Sequence, residues 1–145
     1  MVLFFDTTVL VASSSQAHPH FAQASAAVTR VATGKDQGFL CQHSIAEMYA
    51  ALTRMPVSPR IHPLEAARII GQNVLQYFQI VPLVKDDYQE ALTLVANAGW
   101  VGAKIYDALM LLAADKCPAQ RIYTFNLKDF KQMAPSRMQS KICAP

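Results

Sequence analysis

The chain is 145 residues long, 52% hydrophobic and only 16% charged, with a formal net charge of +3. This composition excludes a disordered or solvating chain and fits one compact domain over residues 1–145 with a substantial core. No apolar stretch reaches the roughly 18–20 residues that span a bilayer, and no basic leader precedes Asp6, so a cytoplasmic protein without a membrane partner is expected.

Val2 to Phe5 reads as a buried strand, and Asp6-Thr7-Thr8 as the turn that leaves it. A short helix from Val9 to Ser14 and an alanine-rich helix from His20 to Thr33 follow, with His18-Pro19-His20 read as a surface loop before the second. Gly34 to Gly38 forms a turn and Phe39 to Cys41 a second strand, after which Ile45, Met48, Tyr49 and Leu52 recur at helical spacing. Pro63 suits the first turn of a helix over about 64–77. Phe78 to Val81 reads as a third strand, and Asp86 as the cap of a helix running to about Ala98. The loop Gly99 to Gly102 holds Trp100, a candidate loop anchor or dimer contact. The helix from about Lys104 to Lys116 is apolar on every side along Ala108 to Ala114, which places it at the centre of the fold. Arg121 to Thr124 makes a fourth strand, Asn126 to Lys131 a turn with a short helix, and Lys141-Ile142 a fifth short strand.

Strands that alternate with helices, with no hairpin signal, define an α/β class. The expected architecture is a three-layer α/β/α with a central, mainly parallel sheet of four to five strands. Sites in such sheets lie beyond the carboxyl ends of the strands, where the strand order reverses. Asp6 falls at that edge after the first strand, and Asn126 and Asp129 fall there after the fourth. The first turns of the helices carrying Glu47 and Asp107 are expected near the same edge.

Three acids therefore stand out: Asp6 after an apolar strand, and Glu47 and Asp107 on otherwise apolar helices. Singly, each has a plain structural reading. Asp6 suits a helix N-cap, Ser44 and Glu47 match a capping box, and Asp107 gains from the positive end of its helix. Jointly, they would crowd negative charge into one small volume, which is costly without a cation. With oxygen ligands only, and no close histidine or thiolate, that cation would be hard, Mg²⁺ or Mn²⁺ rather than zinc. The three widely spaced cysteines, Cys41, Cys117 and Cys143, suggest neither a disulfide framework nor a thiolate site. Thr7, Thr8, Ser44 and Thr124 adjoin the acids, and their hydroxyls are candidates to orient them. Arg54, Arg60, Lys104, Lys128 and Lys131 are candidates to flank an acidic centre that meets a polyanion.

Phe5 to Leu10, the glutamate in Ser44 to Glu47, the run Tyr106 to Ala114, and Tyr123 to Phe130 together resemble the PIN-domain family. The resemblance runs from residue 2 to about residue 130, and within the family it is nearest to the VapC-type toxins of bacterial toxin–antitoxin systems. It implies a metal-dependent endoribonuclease with Asp6, Glu47 and Asp107 as ligands of Mg²⁺ or Mn²⁺. It also implies Thr124 near the attacking water or substrate phosphate, an RNA substrate such as tRNA or rRNA, homodimerisation, and a cognate antitoxin covering the pocket. Many relatives carry an aspartate where Asn126 stands; Asn126 keeps a carbonyl oxygen, and Asp129 is the other candidate to complete the site. A catalytically weak, RNA-binding PIN-like protein is the alternative. A phosphatase of the HAD type is disfavoured, because Thr8 stands where that pattern needs a second aspartate. A receiver domain is disfavoured because no paired acid adjoins Asp6.

Overall fold

A computed structural model describes residues 1–145. Its centre is a parallel sheet of β1 (Val2–Phe5), β2 (Gln37–Cys41), β3 (Gln79–Val81), β4 (Arg121–Tyr123) and β5 (Ile142–Cys143), in the order β3-β2-β1-β4-β5. β1 holds the middle, with Phe5 opposite Leu40 of β2 on one side and Tyr123 of β4 on the other. Alternate β1 side chains enter opposite layers, as the period of a strand requires. Leu3 and Phe5 join one core while Phe4 joins the other. This explains a strand with no polar face: both faces are covered by helices.

The first layer packs α1 (Thr7–Ala12), α2 (Phe21–Ala32), α3 (Gln42–Arg54) and α4 (Pro63–Ile69) against Leu3, Phe5 and Leu40. The second packs α5 (Lys85–Asn97), α6 (Lys104–Asp115), α7 (Leu127–Met133) and α8 (Ser136–Gln139) against Phe4, Cys41, Ile122 and Ile142. The α6 helix is central, as its composition requires, with Ala108 to Leu111, Ala113 and Ala114 all buried. No helix is long and apolar enough to cross a membrane.

Several local readings shift. The first helix starts two residues early, at Thr7, and the second strand starts at Gln37. The helix expected over 64–77 is α for Pro63–Ile69 and then opens into a π-helical stretch, Ile70–Leu75. Asp86 is not the cap of α5. The helix begins at Lys85, and the Asp87 carboxylate accepts the Val84 N–H at 2.8 Å and pairs with Lys116 Nζ at 2.7 Å. Helix α8 had no sequence signal. Tyr77 is 42% exposed although its neighbour Phe78 is buried. Trp100 packs on the second core as a loop anchor. Gly38 is required by close approach: a Cβ there would sit 2.6 Å from the Phe78 ring and 2.8 Å from Val31.

Candidate active site

β1, β2 and β3 run outward one way from the centre and β4 and β5 the other, so the strand order reverses beside β1. Asp6 leaves the end of β1 at that reversal. Its backbone N–H donates to Tyr123 of β4 at 2.9 Å, which fixes it to the sheet. A cavity of about 530 Å³ opens there, lined by Asp6, Glu47, Asp107 and Asn126 together with Thr7, Thr8, Tyr106 and Phe125. Acids separated by 101 positions in the chain thus share one wall-to-wall space.

Asp6 is 4% exposed. It stands at the N-cap position of α1 but makes no side-chain capping bond. Its Oδ2 instead accepts the Thr8 hydroxyl at 2.6 Å and the Thr124 hydroxyl at 2.8 Å. Burial raises its pKa, and these two hydroxyl bonds pull the other way.

Glu47 is not part of a capping box. Helix α3 begins at Gln42, so Ser44 lies inside it, fully buried, with its hydroxyl on Met110 Sδ at 3.2 Å. Glu47 therefore lies beyond the first turn and gains no help from the helix end. Thr7 Oγ1 is 3.0 Å from Ser44 Oγ and 3.5 Å from Glu47 Oε1. Burial, then the charges of Asp6 and Asp107, push Glu47 up to about 7.

Asp107 does lie in the first turn of α6. Burial, then Asp6 and Asp129, still push it up to about 6. Asn126 turns its amide nitrogen to Asp107 Oδ2 at 3.1 Å, so in this arrangement it presents a donor rather than its carbonyl oxygen. Asp129 forms an ion pair with Lys104 and lines an adjoining depression with Lys104, Asp107 and Asn126. The hydrogen bonds from Lys104 and Asn126 hold the Asp129 carboxyl below its usual range. Thr124 does not line the cavity. It is fully buried, and its hydroxyl donates to Asp6 while accepting the Asn126 N–H at 2.9 Å.

No group of three histidine, cysteine or acidic side chains is set, as it stands, to hold a metal ion. The donor chemistry nevertheless fits a hard divalent cation. Burial raises the proton affinity of all three carboxylates, the charge of Asp6 raises Glu47 and Asp107 further, no lysine or arginine lines the cavity, and the three acids offer only oxygen donors. The expected basic flank is thin: Lys104 lines the adjoining depression but is engaged by Asp129, and Lys128 acts on the same carboxylate. Sequence reasoning missed His18 and His20, which line the cavity from the loop before α2. Only the stacking of His20 on Phe125, centroids 4.3 Å apart, brings that loop in, and no local signal foretells a contact across 105 positions.

A three-layer parallel α/β domain whose acids meet where the strand order reverses defines a class of oxygen-ligand sites. Residues 3–134 match the PIN domain, and the chain belongs to the PIN-domain family. It is similar to Ribonuclease VapC27 of Mycobacterium tuberculosis, 38% identical over 76 residues, 52% of this chain and 53% of that one. The match thus spans about half the length of this curated relative. The fold is similar to the crystal structure of Mycobacterium tuberculosis VapC20, a sarcin–ricin-loop-cleaving toxin: TM-score 0.69, 18% identity, 90% of this chain and 93% of that chain. It is also similar to Rickettsia felis VapBC2 bound to a promoter DNA fragment: TM-score 0.61, 18% identity, 92% and 93% covered.

Proposed function

We propose that this chain is one PIN-like nuclease domain: a Mg²⁺- or Mn²⁺-dependent endoribonuclease that hydrolyses RNA phosphodiesters as the cytoplasmic toxin of a toxin–antitoxin pair. The observation that carries the reading is the convergence of Asp6, Glu47 and Asp107 on one cavity, with all three proton affinities raised by burial and those of Glu47 and Asp107 raised further by the charge of Asp6. The family membership and the names of the relatives supply the choice of RNA and of an antitoxin partner.

Asp6, Glu47 and Asp107 would hold the ion, with Asn126 or Asp129 as the candidate to complete the site. When bound, a divalent ion offsets charge on the phosphate and lowers the pKa of a water to a useful range. The chain's own residues set the ligands. Thr8 and Thr124 fix one oxygen of Asp6, Thr7 steadies Glu47, and Asn126 steadies Asp107. Thr124 is on this reading a positioning residue behind Asp6 rather than a contact to substrate. Lys104 keeps Asp129 ionised beside the cavity. A homodimer, an antitoxin segment covering the cavity, and tRNA or rRNA as target complete the proposal.

Cleavage of tRNA and rRNA should require Mg²⁺ or Mn²⁺, stop in EDTA, and be lost in Asp6→Asn and Asp107→Asn. Unchanged cleavage in both variants would sink the reading. Binding without cleavage at any ion concentration would favour the RNA-binding alternative, to which the neutral Asn126 lends some support.

A further inference from the structure

Two pairs of stacked rings stand at the acidic cavity. On the β4 side, His20 lies nearly parallel to Phe125, centroids 4.3 Å apart and planes 15° apart. On the β2 side, Tyr106 lies nearly parallel to His43 on α3, centroids 5.1 Å apart and planes 17° apart. Because β1 sits between β2 and β4, the elements leaving those two strands place the pairs on either side of Asp6.

In each pair an exposed ring that lines the cavity is backed by a half-buried one: His20 by Phe125, and Tyr106 by His43. Folding alone gives little reason to leave them so. Tyr106 is 41% exposed at the mouth of a site where Met110 is buried and Val11 and Phe125 are half-buried. The His20 backbone N–H donates to His18 Nδ1 at 3.1 Å, which ties together the loop that carries the ring. No lysine or arginine lines the cavity, and Lys104 in the adjoining depression is paired with Asp129, so no permanently charged cation is free there to grip a polyanion. Ring faces are what it offers. A flat exposed ring, already supported on its other side, suits stacking on a nucleobase, and such stacking tolerates any base. In a paired duplex the base faces are occupied by neighbouring pairs, so only unpaired nucleotides present them.

We propose that His20 and Tyr106, backed by Phe125 and His43, are two nucleobase-stacking platforms that take the unpaired bases on either side of the phosphate held at Asp6, Glu47 and Asp107. The inference rests on the nuclease reading for the phosphate, but the platforms are tested by binding alone. They position substrate and take no part in the chemical step.

The probe is a labelled single-stranded RNA oligomer with a non-hydrolysable central linkage, in Mn²⁺, compared with the same oligomer made abasic on both sides of that linkage. Tyr106→Leu and His20→Leu, both at exposed rings, should each weaken binding of the intact oligomer about 5- to 150-fold, the range for losing one stacked base. Tyr106→Phe and His20→Phe should restore it, and against the abasic oligomer all variants should match the wild type. Equal binding of both oligomers by the wild type, or unchanged binding in the leucine variants, would overturn the platforms even if RNA is cleaved. Ring-dependent and base-dependent binding without cleavage would leave the platforms standing and remove the nuclease reading.

Discussion

Replacing Glu47 by glutamine tests whether the acid cluster is a burden on the metal-free fold. The Glu47 carboxyl rises from an ordinary 4.5 to about 7, chiefly through burial and the charge of Asp6. The folded state therefore holds this proton more tightly than the unfolded one. Stability is fullest below pH 4.5 and is lost as the pH rises through 7. At about 1.36 kcal/mol per pH unit the full penalty would be about 3.4 kcal/mol. The side chain is 26% exposed, and solvent screening reduces this to about 1–2 kcal/mol. Glu47→Gln keeps the shape and removes the charge, so in EDTA at pH 8 it should raise Tm by about 3–7 °C. At pH 5 the gain should shrink to about a quarter of that. Saturating Mg²⁺ should reverse the ranking, because an ion bound by the folded state stabilises the wild type more than a variant short of one ligand. Calorimetric melts at the two pH values, with and without the ion, supply all four numbers. A variant that melts lower than the wild type in EDTA at pH 8, or a gain independent of pH, would refute the reasoning.

Thr124→Val removes a buried hydroxyl that serves Asp6 and the Asn126 N–H. It should cost about 1–3 kcal/mol in urea denaturation and lower RNA cleavage, whereas Thr124→Ser should recover most of both. Gly38→Ala should cost about 1–3 kcal/mol from overpacking against Phe78 and Val31, with partial recovery in Gly38→Ala/Phe78→Leu by the same assay. Asp87→Asn weakens the Lys116 pair and the bond to Val84 N–H at the start of α5, an effect of about 1 kcal/mol. Lys116 holds the Asp87 carboxyl below its usual 3.8, so its stabilisation is present above that pH and fades as pH falls through the lower native value. Wild type and variant should therefore converge in stability toward pH 2, and a constant gap across that range would contradict the pairing.

The sheet was legible because its strands are short, mostly apolar and separated by helical spacing, a pattern that burial on both faces demands. Asp6, Glu47 and Asp107 were legible for the opposite reason, as charges set among residues that exclude water. The roles of their neighbours were not. Thr124 reads as a hydroxyl near an acid, but only the pairing of β1 with β4 turns it behind Asp6 and away from the cavity. Ser44 and Glu47 match a capping pattern, yet the cap depends on where the chain enters the helix, and it enters at Gln42. The same dependence moved the cap of α5 from Asp86 to Asp87. His20 reads as a loop residue because stacking on Phe125 is invisible in one dimension.

The bond from Thr124 to Asp6 joins residues 118 positions apart. During translation, Asp6 waits for those 118 residues, on the order of 6–24 s at the usual elongation rates of about 5–20 residues per second. Until β4 slots in beside β1, the aspartate lacks one of its two hydroxyl partners, and the cavity lacks Phe125 and Asn126. On the proposed nuclease reading, a fragment ending before that strand would lack a complete site, and any cutting power would arrive in one step with the pairing of β4.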